Sequence, residues 1–476
     1  MKAGEVLELQ IESLGFEGIG IARLNGGDSD GGGLVVQLRG GLPSERVRAR
    51  IRRRKRTYLE ADVIEVLEPS PHRRTPPCPY AGECGGCTWQ HLAYAEQLRW
   101  KEQHVRDAFE RIGRCIAKEY RPIIPSPVEF GYRGKMEFSC SARRWIPAKQ
   151  WESMEPVAME RKQPAVGLHI RGRHDAVLDI ERCLLLDERG NALLTAVREL
   201  VRACRVRCDD QRQRSGFLRN VIIRRSGLGE MMLVLVTRSP SDQSDQLFLE
   251  RCVELGSRFP DVQSIVWGIN DTLSPMPAGP FTVLYGRDHI RERVAGIEFR
   301  ISAQSFFQGN VPNLERFVTA VLDAANIEPS DVVWDLYAGT GTLTLPFARR
   351  CAHAIGIESN TAATYDAQAN AERNGITNVT FITADLHDRA AWDCLDGLST
   401  PQVVVLDPPR AGMHPRLTEY LCRRLPQRIV YVSCNPTTQA RDVAMLSHAY
   451  CVVAVQPIDM FPQTYHVESI AVLERR

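Results

Sequence analysis

Cys434 ends an apolar run, Ile429-Val430-Tyr431-Val432, inside the turn Ser433-Cys434-Asn435-Pro436. The run reads as a buried parallel strand, and the proline after it cannot extend the ladder. The thiol is therefore expected at the carboxyl-end rim of a sheet, where open α/β folds bind ligands. Once ionised, a thiol there is a nucleophile. Most intracellular cysteines are small core residues, so the reading depends on what else reaches the same rim.

Three acids and a glycine loop are expected there. Val332-Val333-Trp334-Asp335-Leu336 reads as a strand entering Tyr337-Ala338-Gly339-Thr340-Gly341-Thr342. After a helix from Leu343 to Arg350, Ala354 to Glu358 gives a second strand, its acid 23 residues beyond Asp335. In such a βαβ unit the glycines let the backbone approach a ligand, and the acid binds a ribose. A pyrophosphate needs a fuller glycine set and a helix amino terminus. S-Adenosylmethionine has no phosphate, and the shorter G-x-G loop formed by Gly339 and Gly341 is enough for it. Asp385 follows a third strand, Val379 to Ile382, and Asp407 ends a fourth, Val403 to Leu406.

A second cluster of chemical interest is Cys78, Cys84 and Cys87, in C-x5-C-x2-C spacing within a loop rich in proline and glycine. Zinc usually takes paired C-x-x-C knuckles, which are lacking here. Radical enzymes that use adenosylmethionine typically show C-x3-C-x2-C. An iron-sulfur cluster tolerates uneven spacing with a distant fourth thiolate. Cys183 is the best-placed fourth ligand, and spacing alone leaves Cys115 and Cys140 open as well.

The elements that must position these groups divide the 476 residues into several bodies. Residues 1–68 alternate short strands with glycine-rich turns, including Asp28 to Gly33, and suggest a β-barrel of about five strands. Within it, Arg46 to Arg56 holds eight basic residues in eleven and no acid. Period-two alternation puts Arg46, Arg48, Arg50 and Arg52 on one face, where a phosphate backbone is the natural counter-charge. Residues 69–124 hold the cysteine loop and a helical stretch with Gln97, Trp100 and Lys101. Residues 125–300 read as a mixed, mostly β domain for RNA contact, with 143–163 a surface insertion. Residues 301–476 read as an α/β, Rossmann-like domain with a seven-stranded sheet, closed by a hairpin-like pair that places Glu468 at the start of the last strand. The 14 cysteines form no disulfide framework, and neither a signal peptide nor a long apolar run is present. A monomer in the cytoplasm, away from membranes, is expected.

Five motifs occur together: Phe306-Phe307-Gln308-Gly309-Asn310, Asp335 to Gly341, Asp407-Pro408-Pro409-Arg410, Ser433 to Pro436, and His466-Val467-Glu468. In order and spacing the set resembles the RNA (uracil-5-)-methyltransferase family, in particular the 23S rRNA type with a TRAM barrel and an iron-sulfur site. The likeness covers nearly the full length. It implies a cofactor shell of Gln308, Tyr337, Glu358, Asp385 and Asp407, a nucleophile at Cys434 and a base at Glu468. It also implies an iron-sulfur cluster, of 4Fe-4S type, on Cys78, Cys84, Cys87 and Cys183. Thr342 stands where the family commonly has asparagine, and Gly134 replaces a polar residue in the Tyr-Arg-x-Lys motif.

These residues suit formation of 5-methyluridine. Carbon 5 of uracil is a weak nucleophile, and a thiolate adding to carbon 6 makes an enolate that activates it. A base must then remove the carbon 5 proton, with Glu468 the first candidate and His466, expected on the same strand face, its rival. Nearby donors or Arg410 are expected to favour the Cys434 thiolate, and Asp407 to hold the base or cofactor. The target uridine must leave its stack. Ribosomal RNA is preferred over transfer RNA by analogy with the family. Intact Cys434 and Glu468 speak against a non-catalytic RNA-binding factor, and the basic barrel against a protein or small-molecule substrate.

Overall fold

The computed structural model describes residues 2–24, 33–147, 163–272, 274, 279 and 281–476. Most of the Asp28 to Gly33 turn and of the 143–163 insertion lies outside them.

Five strands, β1 (Val6–Gly15), β2 (Ile19–Leu24), β3 (Leu34–Arg39), β4 (Arg46–Arg54) and β5 (Tyr58–Glu68), close into a barrel in the order β1-β2-β3-β5-β4. Alternation on β4 holds as expected: Val47, Ala49 and Ile51 fill the barrel, while Arg46, Arg48, Arg50 and Arg52 face out. A phosphate backbone is the expected counter-charge, but the chain supplies counter-charges of its own. Acids that are remote in sequence are brought alongside by strand pairing: Arg46 meets Glu68 at 2.7 Å, Arg48 meets Glu8 and Glu65 at 3.0 Å, and Arg52 meets Glu60 at 2.8 Å. Exposed pairs of this kind contribute little to stability, but they neutralise much of the face.

Helix α1 (Tyr94–Asp107) follows the cysteine loop, and a single π turn, Ala108–Ile112, ends it. A two-residue strand, β6 (Glu119–Tyr120), comes next. The central sheet contains β7 (Lys135–Ser141), β8 (Arg144–Trp145), β9 (Ala165–His169), β10 (Val177–Asp179), β11 (Leu218–Arg225), β12 (Met231–Thr237), β13 (Val262–Ile269) and β14 (Thr282–Gly286), in the order β14-β13-β12-β11-β7-β9-β10-β8. Helices α2 (Glu188–Ala203) and α3 (Gln243–Arg258) bury Leu193, Val197 and Phe248 against it. A separate hairpin, β15 (His289–Val294) with β16 (Ile297–Ser302), precedes α4 (Leu314–Ala325).

The carboxyl-terminal part is a doubly covered sheet. Strands β17 (Val332–Leu336), β18 (His353–Glu358), β19 (Val379–Thr383), β20 (Val403–Leu406) and β21 (Arg428–Ser433) run parallel. The last two, β22 (Tyr450–Ile458) and β23 (Glu468–Arg475), form the expected antiparallel pair, with β23 lying between β21 and β22. The sheet has eight strands rather than seven, because β6 adds to the edge of β22 in the order β19-β18-β17-β20-β21-β23-β22-β6. Both faces are buried, so the strands read as unbroken apolar runs. Val333, Val405 and Val430 pack towards α4, and Trp334, Val404 and Tyr431 pack on the opposite side. The helix expected over Leu343 to Arg350 is a shorter α5 (Thr344–Ala348).

Replacing Glu8 and Glu65 together by glutamine frees Arg48. For a polyanion such as RNA the double variant should bind more tightly at low salt. Its affinity should fall more steeply with salt, by about one unit of log K per log salt, as measured by titration at several salt concentrations.

Candidate active site

The parallel strands deliver their carboxyl ends to one rim. Beyond β17 the backbone enters the left-handed region at Tyr337 (φ 77°), Gly339 (φ 54°) and Gly341 (φ 80°). A Cβ on Gly341 would stand 3.1 Å from the Phe381 ring and 3.3 Å from Leu345, so glycine is needed there. Tyr337 holds its conformation at a cost of roughly 1–2 kcal/mol. Its amide and that of Ala338 donate to the Ile357 carbonyl at 2.9 Å, and the Gly339 amide donates to Glu358 Oε2 at 2.9 Å. The glycine loop is thus tied to the end of β18.

A small cavity at this loop brings together Gln308, Tyr337, Gly339, Thr342, Asp335 and Asp407. Gln308 Nε2 donates to Asp407 Oδ2 at 3.4 Å. Asp335 is buried; its Oδ2 accepts from the Thr344 hydroxyl at 2.5 Å, and its Oδ1 has no partner. The Tyr337 hydroxyl is also buried without a partner. Burial raises both Asp335 and Asp407 to about 7, and each carboxylate opposes ionisation of a neighbouring acid. Glu358 stands beside the cavity rather than in its lining. Asp385 lies further out, half exposed, and accepts from the His387 amide at 2.9 Å.

Cys434 follows β21 and, after Asn435, leads into α9 (Pro436–Leu446); helices α6 (Thr361–Arg373), α7 (Arg389–Asp396) and α8 (Pro415–Arg424) come earlier, between the parallel strands. Asn435 caps α9 by accepting from the Thr437 amide at 3.1 Å, while its Nδ2 and the Thr438 hydroxyl hold the Arg410 carbonyl at 3.2 and 3.1 Å. The Arg410 side chain stands near the thiol and favours its ionised form. Contrary to the expected thiolate, burial pushes Cys434 up to about 11, the neighbouring Glu468 adds to this, and Arg410 opposes it. Glu468 opens β23 opposite Ile458 and is only 4% exposed. Burial, then Asp407, raises its carboxyl well above the usual range, again against Arg410. His466 precedes β23 rather than sharing its face. Its ring lies 4.1 Å from that of Tyr465, and burial lowers it to about 4, so it is a neutral imidazole.

The four thiols of Cys78, Cys84, Cys87 and Cys183 line a second cavity of about 290 Å³, walled by Arg133. Of the fourth thiols that spacing leaves open, only Cys183 lines it. Cys140 is buried on β7 against Cys208, and Cys115 lies beyond the π turn. Asn191 clamps Cys183, accepting from its amide at 2.8 Å and donating to its carbonyl at 3.0 Å, and the Gly86 amide donates to Cys84 Sγ at 3.4 Å. Burial pushes Cys84 and Cys87 up to about 11 and about 12. Among the described residues no three His, Cys, Asp or Glu side chains are grouped tightly enough to hold one metal ion. One tetrahedral ion would need its sulfurs about 4 Å apart.

A profile described as tRNA (Uracil-5-)-methyltransferase matches residues 282–476, and a TRAM domain profile matches residues 2–64. An uncharacterized RNA methyltransferase of Chlorobaculum tepidum is 39% identical over 93% of this chain and 92% of its own length. Another, from Bacteroides thetaiotaomicron, is 37% identical over 97% of this chain and 99% of its own. The chain belongs to the RNA (uracil-5-)-methyltransferase family. Among solved structures, the Pyrococcus abyssi tRNA (uracil-54, C5)-methyltransferase in complex with S-adenosyl-L-homocysteine superposes with a TM-score of 0.73 and 26% identity, over 98% of this chain and all of the other.

The methyltransferase uses S-adenosylmethionine as methyl donor, and its glycine-loop cavity suits that molecule: the orphaned Asp335 Oδ1 and Tyr337 hydroxyl offer polar partners, and the surrounding acids favour a cation. Asp335 is the residue that sequence reasoning passed over. It appeared as part of a strand, although the Asp-Leu-Tyr-Ala-Gly-Thr-Gly motif put it one residue from the loop.

Folded Asp335 and Asp407 keep protons up to about pH 7 that an unfolded chain releases near 3.8. Their contribution to stability is full below the unfolded value and is lost as pH rises through about 7. The cofactor-free Asp335→Asn/Asp407→Asn protein should therefore gain melting temperature relative to wild type as pH is raised from about 5 to about 8, measured by calorimetry.

Proposed function

We propose that this enzyme forms 5-methyluridine in RNA by covalent catalysis, with Cys434 as nucleophile and Glu468 as base. The observation that carries this reading is the grouping of Cys434, Arg410, Glu468 and Asp407 at one sheet rim, beside the glycine-loop cavity. The bound donor supplies a transferable methyl group and a positive sulfonium. Gln308 and Asp407 hold its charged end, Glu358 takes the ribose, and Asp385 reaches the outer part of the nucleoside, with Tyr337, Gly339, Gly341 and Thr342 shaping the loop around it. A cation in this site favours ionisation of the acids and thiol that burial raises.

Arg410 and the amino terminus of α9 favour the Cys434 thiolate. Its addition to carbon 6 of a flipped uracil concentrates electron density on carbon 5. After methyl transfer Glu468 takes the proton from carbon 5, and the thiolate leaves carbon 6. Asp407 positions Glu468 and keeps its carboxyl basic. His466, neutral and packed on Tyr465, is the weaker candidate base.

Cys78, Cys84, Cys87 and Cys183 are proposed to hold an iron-sulfur cluster of 4Fe-4S type. Four convergent thiols with backbone and asparagine donors behind them suit a group that spreads its cysteines wider than one ion does. The cluster would tie the loop of residues 76–89 to the central sheet, and no step of the reaction is assigned to it. The barrel, residues 1–68, and the central region, residues 125–300, are the proposed RNA-binding domains, with residues 69–124 linking them to the methyltransferase domain of residues 301–476. Ribosomal RNA, the 23S class, is the proposed target, because the barrel together with the thiol site resembles that branch. The likeness to an enzyme named for uracil 54 of tRNA favours tRNA as the second reading, and mapping of 5-methyluridine in both RNA pools of a deletion strain separates the two.

Cys434→Ala should reduce methylation to background. Glu468→Gln should slow turnover by roughly 10²- to 10⁴-fold and accumulate an RNA adduct that survives denaturing electrophoresis. Single-turnover rates should climb with pH across the neutral range, because both Cys434 and Glu468 ionise late. Anaerobically purified protein should carry iron and sulfide and absorb near roughly 400 nm, and Cys183→Ser should lose both.

A further inference from the structure

Asp459 is the first residue after β22, and Glu468 opens β23 directly across from Ile458. The stretch between them therefore sets where the Glu468 carboxyl points. Asp459 is held on every side. Its carboxylate accepts from Lys101 Nζ at 2.7 Å, the Tyr94 hydroxyl at 2.9 Å and the Phe461 amide at 3.0 Å. Its carbonyl accepts from Asn313 Nδ2 at 3.0 Å. Lys101 also donates to the Phe461 carbonyl at 3.0 Å, and the side chains of Lys101 and Asp459 are both 0% exposed.

One turn earlier on α1, Gln97 accepts from the Gln463 amide at 2.9 Å and donates to Gln463 Oε1 at 3.1 Å. Gln463 sits in the left-handed region at φ 68°, and its carbonyl takes the Thr88 and Trp89 amides, each at 3.0 Å. The buried Tyr132 hydroxyl donates to the Pro462 carbonyl at 2.9 Å. Tyr465 then meets the Thr88 hydroxyl at 3.2 Å. The loop is thus clamped by groups remote in sequence, with the ion pair at its origin.

A buried ion pair is a poor device for stability alone, since apolar replacements are often neutral or stabilising. Its fixed lengths and directions suit placement. We propose that Lys101 and Asp459 are positioning residues for the reaction: they fix the loop so that Glu468 meets carbon 5 of the methylated adduct. This rests on Glu468 being the base.

The test uses full-length enzyme carrying Lys101→Met/Asp459→Leu, which leaves no orphaned charge, with Tyr94→Phe as a milder second variant and Glu468→Gln in parallel. Single-turnover methyl transfer, release of the covalent RNA adduct on denaturing gels, KM for RNA and thermal unfolding are measured. In the double variant, adduct release is expected to slow by about a hundredfold, while methyl transfer and KM stay within about twofold and the protein remains folded. Tyr94→Phe should show the same selective slowing to a smaller degree, and it decides the matter if the double variant does not fold. Normal adduct release in a folded variant, or losses of KM and methyl transfer that simply track thermal stability, would overturn the proposal while leaving the Glu468 assignment intact. Failure of Glu468→Gln to accumulate adduct would instead remove the base assignment itself, and the positioning role with it.

Discussion

Desolvation at the sheet rim is the constraint on which the site depends. Asp335, Asp407 and Cys434 come from the ends of parallel strands and Glu468 from the start of the antiparallel β23; burial raises all four groups, and Arg410 is the cation set against Cys434 and Glu468. Several acids crowded in this way resist ionising together, so the cofactor-free site holds protons that free side chains would lose. A sulfonium donor changes the balance by entering as a cation. On the proposed roles of Cys434 and Glu468, affinity for the donor and readiness of the thiol and base would then be two results of one electrostatic deficit. The left-handed backbone at Tyr337 and the buried Asp335–Thr344 contact keep the acids in place while the deficit exists.

The amino-terminal two-thirds of the chain also braces the carboxyl-terminal sheet. Helix α1, the cysteine loop and Tyr132 all contact the segment between β22 and β23. Thr88, which bonds that segment, is the neighbour of Cys87 in the thiol cavity. On the barrel, cross-strand glutamates temper the arginine face, so contact with phosphate must compete with internal pairs and stays sensitive to salt.

Local pattern carried much of this in the sequence. The strand over Val403 to Leu406 was legible because both its faces are buried and every residue is apolar, and Glu468 was legible as a strand start because an apolar run follows it. The alternation of arginine with valine, alanine and isoleucine on β4 was equally clear. What stayed hidden was long-range. Glu8 and Glu65 lie 40 and 17 residues from Arg48, and the Lys101–Asp459 contact spans 358 residues. The sign of the Cys434 shift was hidden for a related reason. Arg410 is close in the chain to Asp407 and was visible as a donor, but how deeply the thiol is buried depends on packing among β21, β23 and α9. Strand β6, two residues long, has no period to read at all.

That short strand has a consequence for aggregation. The amides of Lys118, Arg121 and Ile124 donate to the carbonyls of Val452, Val455 and Pro457, so residues 118–124 cover the outer side of β22. An uncovered strand of this kind, with Val452, Ala454 and Ile458 already apolar, is a template for pairing with another chain. A fragment cut to the sheet and its helices would keep Cys434 and Glu468 but expose that edge. The segment that joins the thiol loop to the central sheet thus also acts as a guard against self-association.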